Sequence, residues 1–327
     1  MMAAALFDSN TVLPSDCTRI IHHPSSGFGY SSPRFTILPE IVAMRLRVMT
    51  ERDIPAGLRL NTVAGWNQTA ADWRRFLDNS PNGCFVMEHD TKVVGTATTI
   101  SYENKFAWIG MVLVDPEYRK RGIGTQLLKK TVEHLDQYHV PTMKLDATPL
   151  GKPLYEKLGF VTEFEIERLT LKRPSKAVSA VPASACSSVR EAEIEQIVRM
   201  DREVFGADRG FLLRSLFSEA SELALTVRED GAPRCYAFGR RGAFADHLGP
   251  WMATSRASAE ALLRGFLAKS SRDTLIVDCV KSNAAAFELL SACSFTPSRP
   301  LTRMVRGPNH FPGRRGPMCA ILGPEFG

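Results

Sequence analysis

Apolar and polar residues alternate with two different periods along the chain, and the change from one period to the other predicts its elements. Residues 45–49 alternate in the manner of a strand. Thr50 and Thr69 each stand where a helix-capping residue is expected, and Gly65 interrupts the apolar pattern between them. The pattern therefore predicts one strand, then two helices that are separated near residues 65–69. Three further strands are expected at 84–88, 92–101 and 106–114.

The helical period returns after residue 122, where four apolar residues share one face. A strand is then expected at 142–146 and a last strand at 164–171. Between them lies a short helix, 153–158, with Pro153 at its start and Gly159 just past its end. The apolar face of the long helix consists of Leu127, Leu128, Val132 and Leu135.

The same order of elements repeats more weakly over residues 189–306. Residues 173–188 are rich in Ser, Ala and Pro and lack an apolar period, so they are interpreted as a linker. The fold class predicted is α/β (α+β), with two tandem domains, 44–172 and 189–306, each a central mixed sheet flanked by helices. In the second domain we expect helices at 193–204, 211–217, 257–268 and 283–290, and strands at 223–228, 235–240, 247–252 and 274–279.

The two ends of the chain carry no comparable pattern. Residues 1–43 contain four prolines and Ser-rich patches, and we interpret them as a loosely ordered extension, with a transit peptide as the alternative. Residues 307–327 are rich in Gly and Pro and basic, and they are predicted to pack along a surface.

Composition excludes several classes of partner. The 327 residues are 44% hydrophobic, enough for the cores of two domains, but no run of about 18 apolar residues predicts a membrane span. A net charge of +6 is mild and the basic residues are scattered, so no nucleic-acid partner is expected. Seven widely spaced cysteines without a C-x-x-C pair indicate reduced thiols, a cytoplasmic location and no metal site. The oligomeric state is left open.

A basic, glycine-containing loop follows the predicted strand 106–114. Gly122 and Gly124 allow backbone N–H groups to turn toward one point, and the helix that follows adds the positive end of its dipole. Three basic residues, 119–121, add formal charge. The spacing differs from the P-loop and from the dinucleotide fingerprint. This arrangement predicts a phosphate or pyrophosphate ligand, with a plain surface turn as the alternative.

The loop reads R-x-x-G-x-G from Arg119 to Gly124, and a second motif, L-Y-E-K-L-G-F, spans residues 154–160. Together they resemble the pyrophosphate loop and a later helix end of the GNAT superfamily of acetyl-CoA-dependent N-acyltransferases. The resemblance implies an acetyl-CoA donor, and a third strand splayed from its neighbour so that its backbone pairs with the pantetheine arm. The cofactor-binding residues it implies are Val112, Leu113, Val114, Arg119, Lys120, Arg121, Gly122, Ile123, Gly124 and Thr125.

The resemblance also implies two catalytic residues. Tyr155 matches a family tyrosine that donates a proton to the departing thiolate, although a helix tyrosine can also place its ring in the core. Asp146 ends the strand before that helix, where some relatives hold an acidic residue that activates the amine through water. It can equally be an ordinary turn cap. The Asn that many relatives carry after this strand is absent, which puts one cofactor contact in doubt.

The acceptor is expected near the break between the first two helices. Trp66, Asn67, Gln68 and Asp72 lie there, and aromatic faces next to a carboxylate can hold a cationic amine. The alternative is structural: Trp73 fills the core and Asp72 favours the helix start.

The second domain carries a degenerate form of both motifs. Residues 249–255 stand where the anion loop belongs but lack R-x-x-G-x-G, and residues 285–295 resemble a decayed form of the second motif. The sequence therefore predicts an N-acetyltransferase whose first domain transfers acetyl to a primary amine of a small molecule. The alternatives are a non-catalytic acyl-CoA-binding regulator and a transferase that acts on protein or peptide amines.

Overall fold

The computed structural model describes residues 44–173 and 186–327, which belong to one compact unit. The predictions for residues 1–43, and for the linker between 174 and 185, lie outside the described residues. We call residues 44–173 the first half and residues 186–327 the second half. The first half contains β1 (Met44–Val48), α1 (Ile54–Ala64), α2 (Ala70–Asn79), β2 (Phe85–His89), β3 (Lys92–Tyr102), β4 (Phe106–Val114), α3 (Ile123–Gln137), β5 (Met143–Ala147), α4 (Lys152–Lys157) and β6 (Val161–Lys172).

The second half repeats this order and then adds one short strand. Its elements are β7 (Ser187–Ser188), α5 (Ile194–Phe205), α6 (Gly210–Ala220), β8 (Ala224–Glu229), β9 (Ala232–Arg241), β10 (Asp246–Met252), α7 (Arg256–Lys269), β11 (Thr274–Val280), α8 (Ala284–Ala292), β12 (Thr296–Arg306) and β13 (Met318–Ala320). The repeat runs from β7 to β12, and the added strand is β13. The apolar pattern predicts no strand after residue 290, but two are present, β12 and β13.

Local sequence explains where the first helices begin and end. Thr50 and Thr69 form reciprocal capping boxes with the aspartates three residues later, Asp53 and Asp72. Gly65 ends α1 in the left-handed conformation, with φ of +66°. These positions agree with the prediction from the apolar pattern.

All strands of the described chain join one sheet, in the order β1-β2-β3-β4-β5-β12-β6-β11-β13-β10-β9-β8-β7. The last long strands of the two halves are exchanged. β12 of the second half pairs with β5, from Thr302 opposite Ala147 to Arg306 opposite Met143. β6 of the first half lies between β12 and β11. Each half therefore completes its sheet with a strand of the other.

Helices cover both faces of this sheet. One apolar cluster joins α1 and α2 to α5 and α6, and it includes Trp73, Trp108 and Phe205. On the opposite face α3 and α4 pack on the first half, and α7 and α8 pack on the second. Successive β4 residues point to the two faces, since Trp108 belongs to the first cluster and Ile109 to the α3–α4 cluster.

The prediction that residues 307–327 pack along a surface is wrong for the last ten of them. Residues 318–327 are buried, apart from a half-buried Pro324. β13 enters between β10 and β11, with Ala320 opposite both Trp251 and Cys279. The following residues cross to the first half, where the Trp108 indole donates to the Pro324 carbonyl at 2.9 Å. A Gly/Pro-rich composition was misleading here because the segment obtains its apolar contacts from Met318, Ile321, Leu322 and Phe326.

Candidate acyl-CoA site

The loop between β4 and α3 presents a run of unpaired backbone donors. Within the described residues, none of the N–H groups of residues 120–125 donates to a carbonyl or a side chain, and the first inward bond is that of Gln126 to Gly122 at 3.0 Å. Gly122 has φ of +78° and Lys120 has φ of +62°, so the backbone turns sharply at both residues. Successive N–H groups that lead into a helix N-terminus form an anion-binding concavity.

The side chains of this loop add positive charge that other groups of the protein do not neutralise. In the described part of the chain no carboxylate lies within ion-pair distance of Arg119, Lys120 or Arg121, although nearby Asp115 pairs with Arg59 and Lys92. All three basic side chains are exposed. Arg119 donates to the Val114 carbonyl at 3.2 Å, and this bond holds its guanidinium beside the strand end.

Asp115 fixes the start of the loop. Its carboxylate is buried, accepts from the Glu117 N–H at 3.2 Å, and lies 2.7 Å from the Arg59 guanidinium. Burial alone would raise the pKa of Asp115, but the hydrogen bonds from Arg59, Glu117 and Lys92 hold it below its ordinary value. Sequence reasoning missed Arg59, because the helical pattern of α1 gives no sign that this residue reaches the loop.

The strands next to the loop separate as the resemblance implied. β4 and β5 pair only at Ala107 with Met143 and at Trp108 with Lys144. From Ile109 to Val114, β4 keeps its partner β3, but no strand among residues 44–173 and 186–327 pairs with it on the β5 side. A bulge at Met111, with φ of +50°, bends β4 in this region, and Thr96 donates its hydroxyl to the Met111 carbonyl at 2.7 Å. Beyond Trp108 the sheet therefore opens into a cleft that ends at the loop.

Tyr155 lies close to this cleft. Its helix, α4, packs next to the loop, since a Cβ placed on Gly124 would lie 3.7 Å from both Leu154 and Val114. The Tyr155 ring is buried against Phe160, but its hydroxyl is not fully enclosed and has no hydrogen-bond partner among the described residues. Burial raises the pKa of Tyr155 to about 12. The hydroxyl is therefore protonated at neutral pH and available as a donor.

Asp146 has partners that do not suit a base. Both of its oxygens accept from Arg303 at 2.9 Å, and its side chain is fully buried. Burial raises the pKa of Asp146 above its ordinary value, although Arg303 acts to lower it. Arg303 comes from β12 and also lies 4.4 Å above the Trp108 ring. Through this ion pair Asp146 holds β12, the exchanged strand, against β5 at the closed end of the cleft.

Two of the four predicted acceptor residues make structural contacts instead. Asn67 donates to the Ala245 carbonyl at 3.0 Å and accepts from the Phe244 and Ala245 N–H groups. Asp72 caps its own helix and pairs with Arg240 at 2.7 Å. Both residues therefore tie the first half to the second. Trp66 is half-buried and the Gln68 carbonyl has no partner within the described chain, so these two remain acceptor candidates.

The corresponding place in the second half is closed in two ways. The connection from β10 to α7 is only residues 253–255, against 115–122 in the first half. Ser255 caps α7, because its hydroxyl accepts from the Ser258 N–H at 3.2 Å, whereas α3 begins without a side-chain cap. β10 and β11 also separate, but β13 fills the gap between them.

Comparison with known proteins agrees with this geometry. Residues 56–160 match the model of the acetyltransferase (GNAT) family, and residues 197–320 match that of an acetyltransferase (GNAT) domain. The chain belongs to the GNAT family. It carries two GNAT domains in tandem and is an acyltransferase, which confirms the predicted fold class and family.

Several GNAT proteins are similar over different lengths. Holothin acyltransferase from Pseudoalteromonas sp. is 24% identical over 263 residues, which are 80% of this chain and 87% of that protein. The uncharacterized N-acetyltransferase YitH of Bacillus subtilis is 31% identical over 123 residues, 38% of this chain and 43% of YitH. Mycothiol acetyltransferase of Acidimicrobium ferrooxidans is 28% identical over 139 residues, 38% of this chain and 45% of that enzyme.

Solved GNAT structures resemble the whole chain. A putative acetyltransferase from Pyrococcus horikoshii superposes with a TM-score of 0.72 at 25% identity, covering 87% of this chain and 96% of that one. A tandem GNAT protein from the clavulanic acid biosynthesis pathway superposes with a TM-score of 0.59 at 13% identity, covering 81% and 98% respectively, and shows the fold alone.

Two cavities of the GNAT chain lie away from the anion loop. One, of about 640 Å³, is in the second half between α5 and the end of β10. The other, of about 250 Å³, lies behind α3 near His134. No helix in the described ranges has the length and apolar character needed to cross a bilayer.

Proposed function

We propose that the first half binds acetyl-CoA and transfers its acetyl group to a primary amine of a small molecule. The observation that carries this proposal is the run of unpaired N–H groups at residues 120–125, placed at the mouth of a cleft between two separated strands. The diphosphate of coenzyme A can accept hydrogen bonds from these N–H groups. The pantetheine arm, an extended chain with two amides, suits the cleft, because it can pair with the free edge of β4 from Val112 to Val114.

The reaction follows from this placement. The amine nitrogen attacks the thioester carbonyl carbon, a C–N bond forms, and a tetrahedral oxyanion develops. A backbone N–H at the Met111 bulge is our candidate donor to that oxyanion, and a single such donor is typically worth about 10² to 10³ in rate. The C–S bond then breaks, and the thiolate takes a proton from Tyr155. The amine nitrogen loses one proton to water, and water returns a proton to the Tyr155 hydroxyl.

Water is our candidate for the group that removes the amine proton. A free alkyl amine has a pKa near about 10.4 and is mostly protonated at neutral pH. Asp146 is enclosed and held by Arg303 through both oxygens, so it has no free oxygen to offer the amine. We assign Asp146 a positioning role, in contrast to the base that the resemblance suggested.

The nature of the acceptor is supported by the second half. Asn67 and Asp72 bind the α1–α2 connection to the second half, so the wall where an acceptor is expected is tied to another part of the chain. An enclosed wall favours a small molecule over a polypeptide. Two of the relatives carry small-molecule names, holothin and mycothiol.

The test is release of free thiol from acetyl-CoA in the presence of a panel of small amines and of peptides with free N-termini. Gly124→Trp should abolish both binding and transfer, since its side chain would occupy the space in front of the loop N–H groups. Gly316→Trp is the matched control, because nothing lies within 4 Å of a Cβ at that position. Binding without transfer to any amine would support a regulator, and transfer to peptides alone would support a protein acetyltransferase.

A further inference from the structure

The closed end of the β4–β5 cleft has a wall that comes from two distant segments. Gly110 lies two residues beyond the last β4–β5 pair. A Cβ placed on it would lie 2.7 Å from the Glu325 carbonyl oxygen and 3.1 Å from the Phe76 ring. The Phe76 ring in turn stacks on Phe326, with ring centroids 4.8 Å apart. On this face of β4 the space over Gly110 is therefore filled by protein.

Several side chains fix this wall in place. The Trp108 indole donates to the Pro324 carbonyl at 2.9 Å, and the Tyr102 hydroxyl donates to the Phe326 carbonyl at 2.8 Å. Arg240 lies 2.5 Å from the Glu325 carboxylate. Phe76, Glu325 and Phe326 are all buried. A segment held at successive residues by buried partners cannot move aside without breaking those bonds.

The position of the wall along the cleft matches the reactive end of the cofactor. With its diphosphate at the loop, the pantetheine arm runs from Val114 toward Trp108. From phosphate to sulfur the arm is about as long as five residues of extended chain, roughly 16 Å at about 3.3 Å per residue. Five steps of extended chain back from Val114 lead to Ile109, the residue next to Gly110. The acyl group therefore meets the wall.

We propose that Phe76 and residues 324–326 form an acyl stop, which limits the donor to short acyl groups and above all to acetyl. This inference rests on the proposed function, since it needs the cofactor to lie in the cleft. The other face of the closed end is filled too, because Ile109, Leu145 and Tyr155 belong to one buried cluster. A longer acyl chain would have to enter a space that is already packed, and overpacking a dense interior is costly.

The experiment measures kcat/KM with acetyl-, propionyl-, butyryl- and hexanoyl-CoA and a single amine. The wild-type value should fall about tenfold to hundredfold from acetyl to butyryl. Phe76→Ala opens the space over Gly110 and should bring butyryl-CoA to within about threefold of acetyl-CoA. Phe76→Leu is the milder variant if the alanine variant does not fold. Phe266→Ala removes an equally buried ring from the core of the second half, and it should leave the acyl preference unchanged.

Two results would overturn the acyl stop: equal use of butyryl- and acetyl-CoA by the wild type, or an unchanged preference in both Phe76 variants. Titration calorimetry with the same acyl-CoA series, without an acceptor, separates this failure from failure of the proposed function. If no acyl-CoA binds, the proposed function falls and the acyl stop with it. If all bind with equal affinity and react equally, only the acyl stop falls.

Discussion

The surroundings of Tyr155 determine whether its hydroxyl can act as the proton donor in the proposed reaction. Burial raises the pKa of its hydroxyl to about 12, so the proton stays in place across the working range of an enzyme. We expect Tyr155→Phe to lower kcat on the order of 10²-fold, because a positioned proton donor is lost. The KM for acetyl-CoA should stay near its wild-type value, since the loop is untouched. Steady-state kinetics check this.

A pH profile separates a donor from a packing residue. Wild-type kcat/KM should rise with pH as the amine loses its proton, without a fall below pH 10 from ionisation of Tyr155. In Tyr155→Phe the same rise should appear at a lower rate throughout. If Tyr155→Phe retains full activity, the hydroxyl is not the proton donor, and Tyr155 contributes only the packing of its ring.

At the residue scale the sequence indicated a basic, glycine-containing loop, but it left the roles of Asp72 and Asp146 open between chemistry and structure. Gly122 and the basic residues 119–121 are neighbours in sequence, so their joint chemistry is readable from spacing alone. Asp146 pairs with Arg303 and Asp72 with Arg240, each more than 150 residues away, although Asp72 also pairs with the nearby Arg75. The local sequence gives no sign of so distant a partner. From the sequence alone, a carboxylate that pairs with a distant guanidinium cannot be told from one that is free to act as a base.

At the scale of elements, α3 and α7 occupy equivalent places in the two halves but differ in how the N–H groups of their first turn are satisfied. α7 satisfies its N-terminus internally through Ser255 and Ser258, whereas α3 leaves its first N–H groups open beside basic side chains. The strand pairs next to these helices also differ, since β13 fills the opening of the second half, whereas none of the strands in the described ranges fills that of the first. Both differences favour the first half as the site of the proposed acetyl-CoA binding.

This contrast predicts one acetyl-CoA per chain. Ser255→Ala removes the cap of α7 and should lower the free energy of unfolding by about 1 kcal/mol. The stoichiometry in titration calorimetry should remain one, because the freed helix end still faces a cleft that β13 occupies. Two sites in the wild type, or a second site gained in Ser255→Ala, would show that the second half can hold the cofactor.

At the scale of the whole molecule, an ion-pair cluster joins the two halves at one edge. Glu103, between β3 and β4, accepts from Lys105 at 2.8 Å, from the Asp208 N–H at 2.8 Å, and from Arg202 of α5. Burial acts to raise the pKa of Glu103, but these bonds outweigh it and lower the pKa from 4.5 to about 2.

Because the folded pKa of Glu103 lies below the unfolded value, its contribution to stability is complete above about pH 4.5 and is lost as the pH falls toward about 2. The residue is partly exposed, so we expect a modest effect. Urea unfolding at pH 3 and pH 7 should show a smaller difference in Glu103→Gln than in the wild type. An identical difference in both proteins would mean that the cluster contributes nothing.

The order of strands in the sheet was beyond the reach of the sequence, although most elements were not. The alternation of apolar residues defines β6 and reports that it is half-buried, but it says nothing about which strands lie beside it. In the folded chain β6 pairs with β12 and β11, and β12 takes the place beside β5. Two halves that look separate in sequence thus share one sheet.

The exchange of β6 and β12 predicts that the first half is not independent. Expressed alone, residues 44–172 lose both partners of β6, and β5 loses β12 and keeps only its short pairing with β4. Long strand edges are then left without hydrogen bonds. We expect this fragment to aggregate or to unfold without a cooperative transition, while the full chain unfolds in a single one. Circular dichroism and tryptophan fluorescence during urea unfolding, recorded on both, make the comparison. A monomeric fragment with a sharp transition would mean that β6 pairs with β5 when β12 is absent. The pairings β5–β6 and β5–β12 would then have nearly equal free energy.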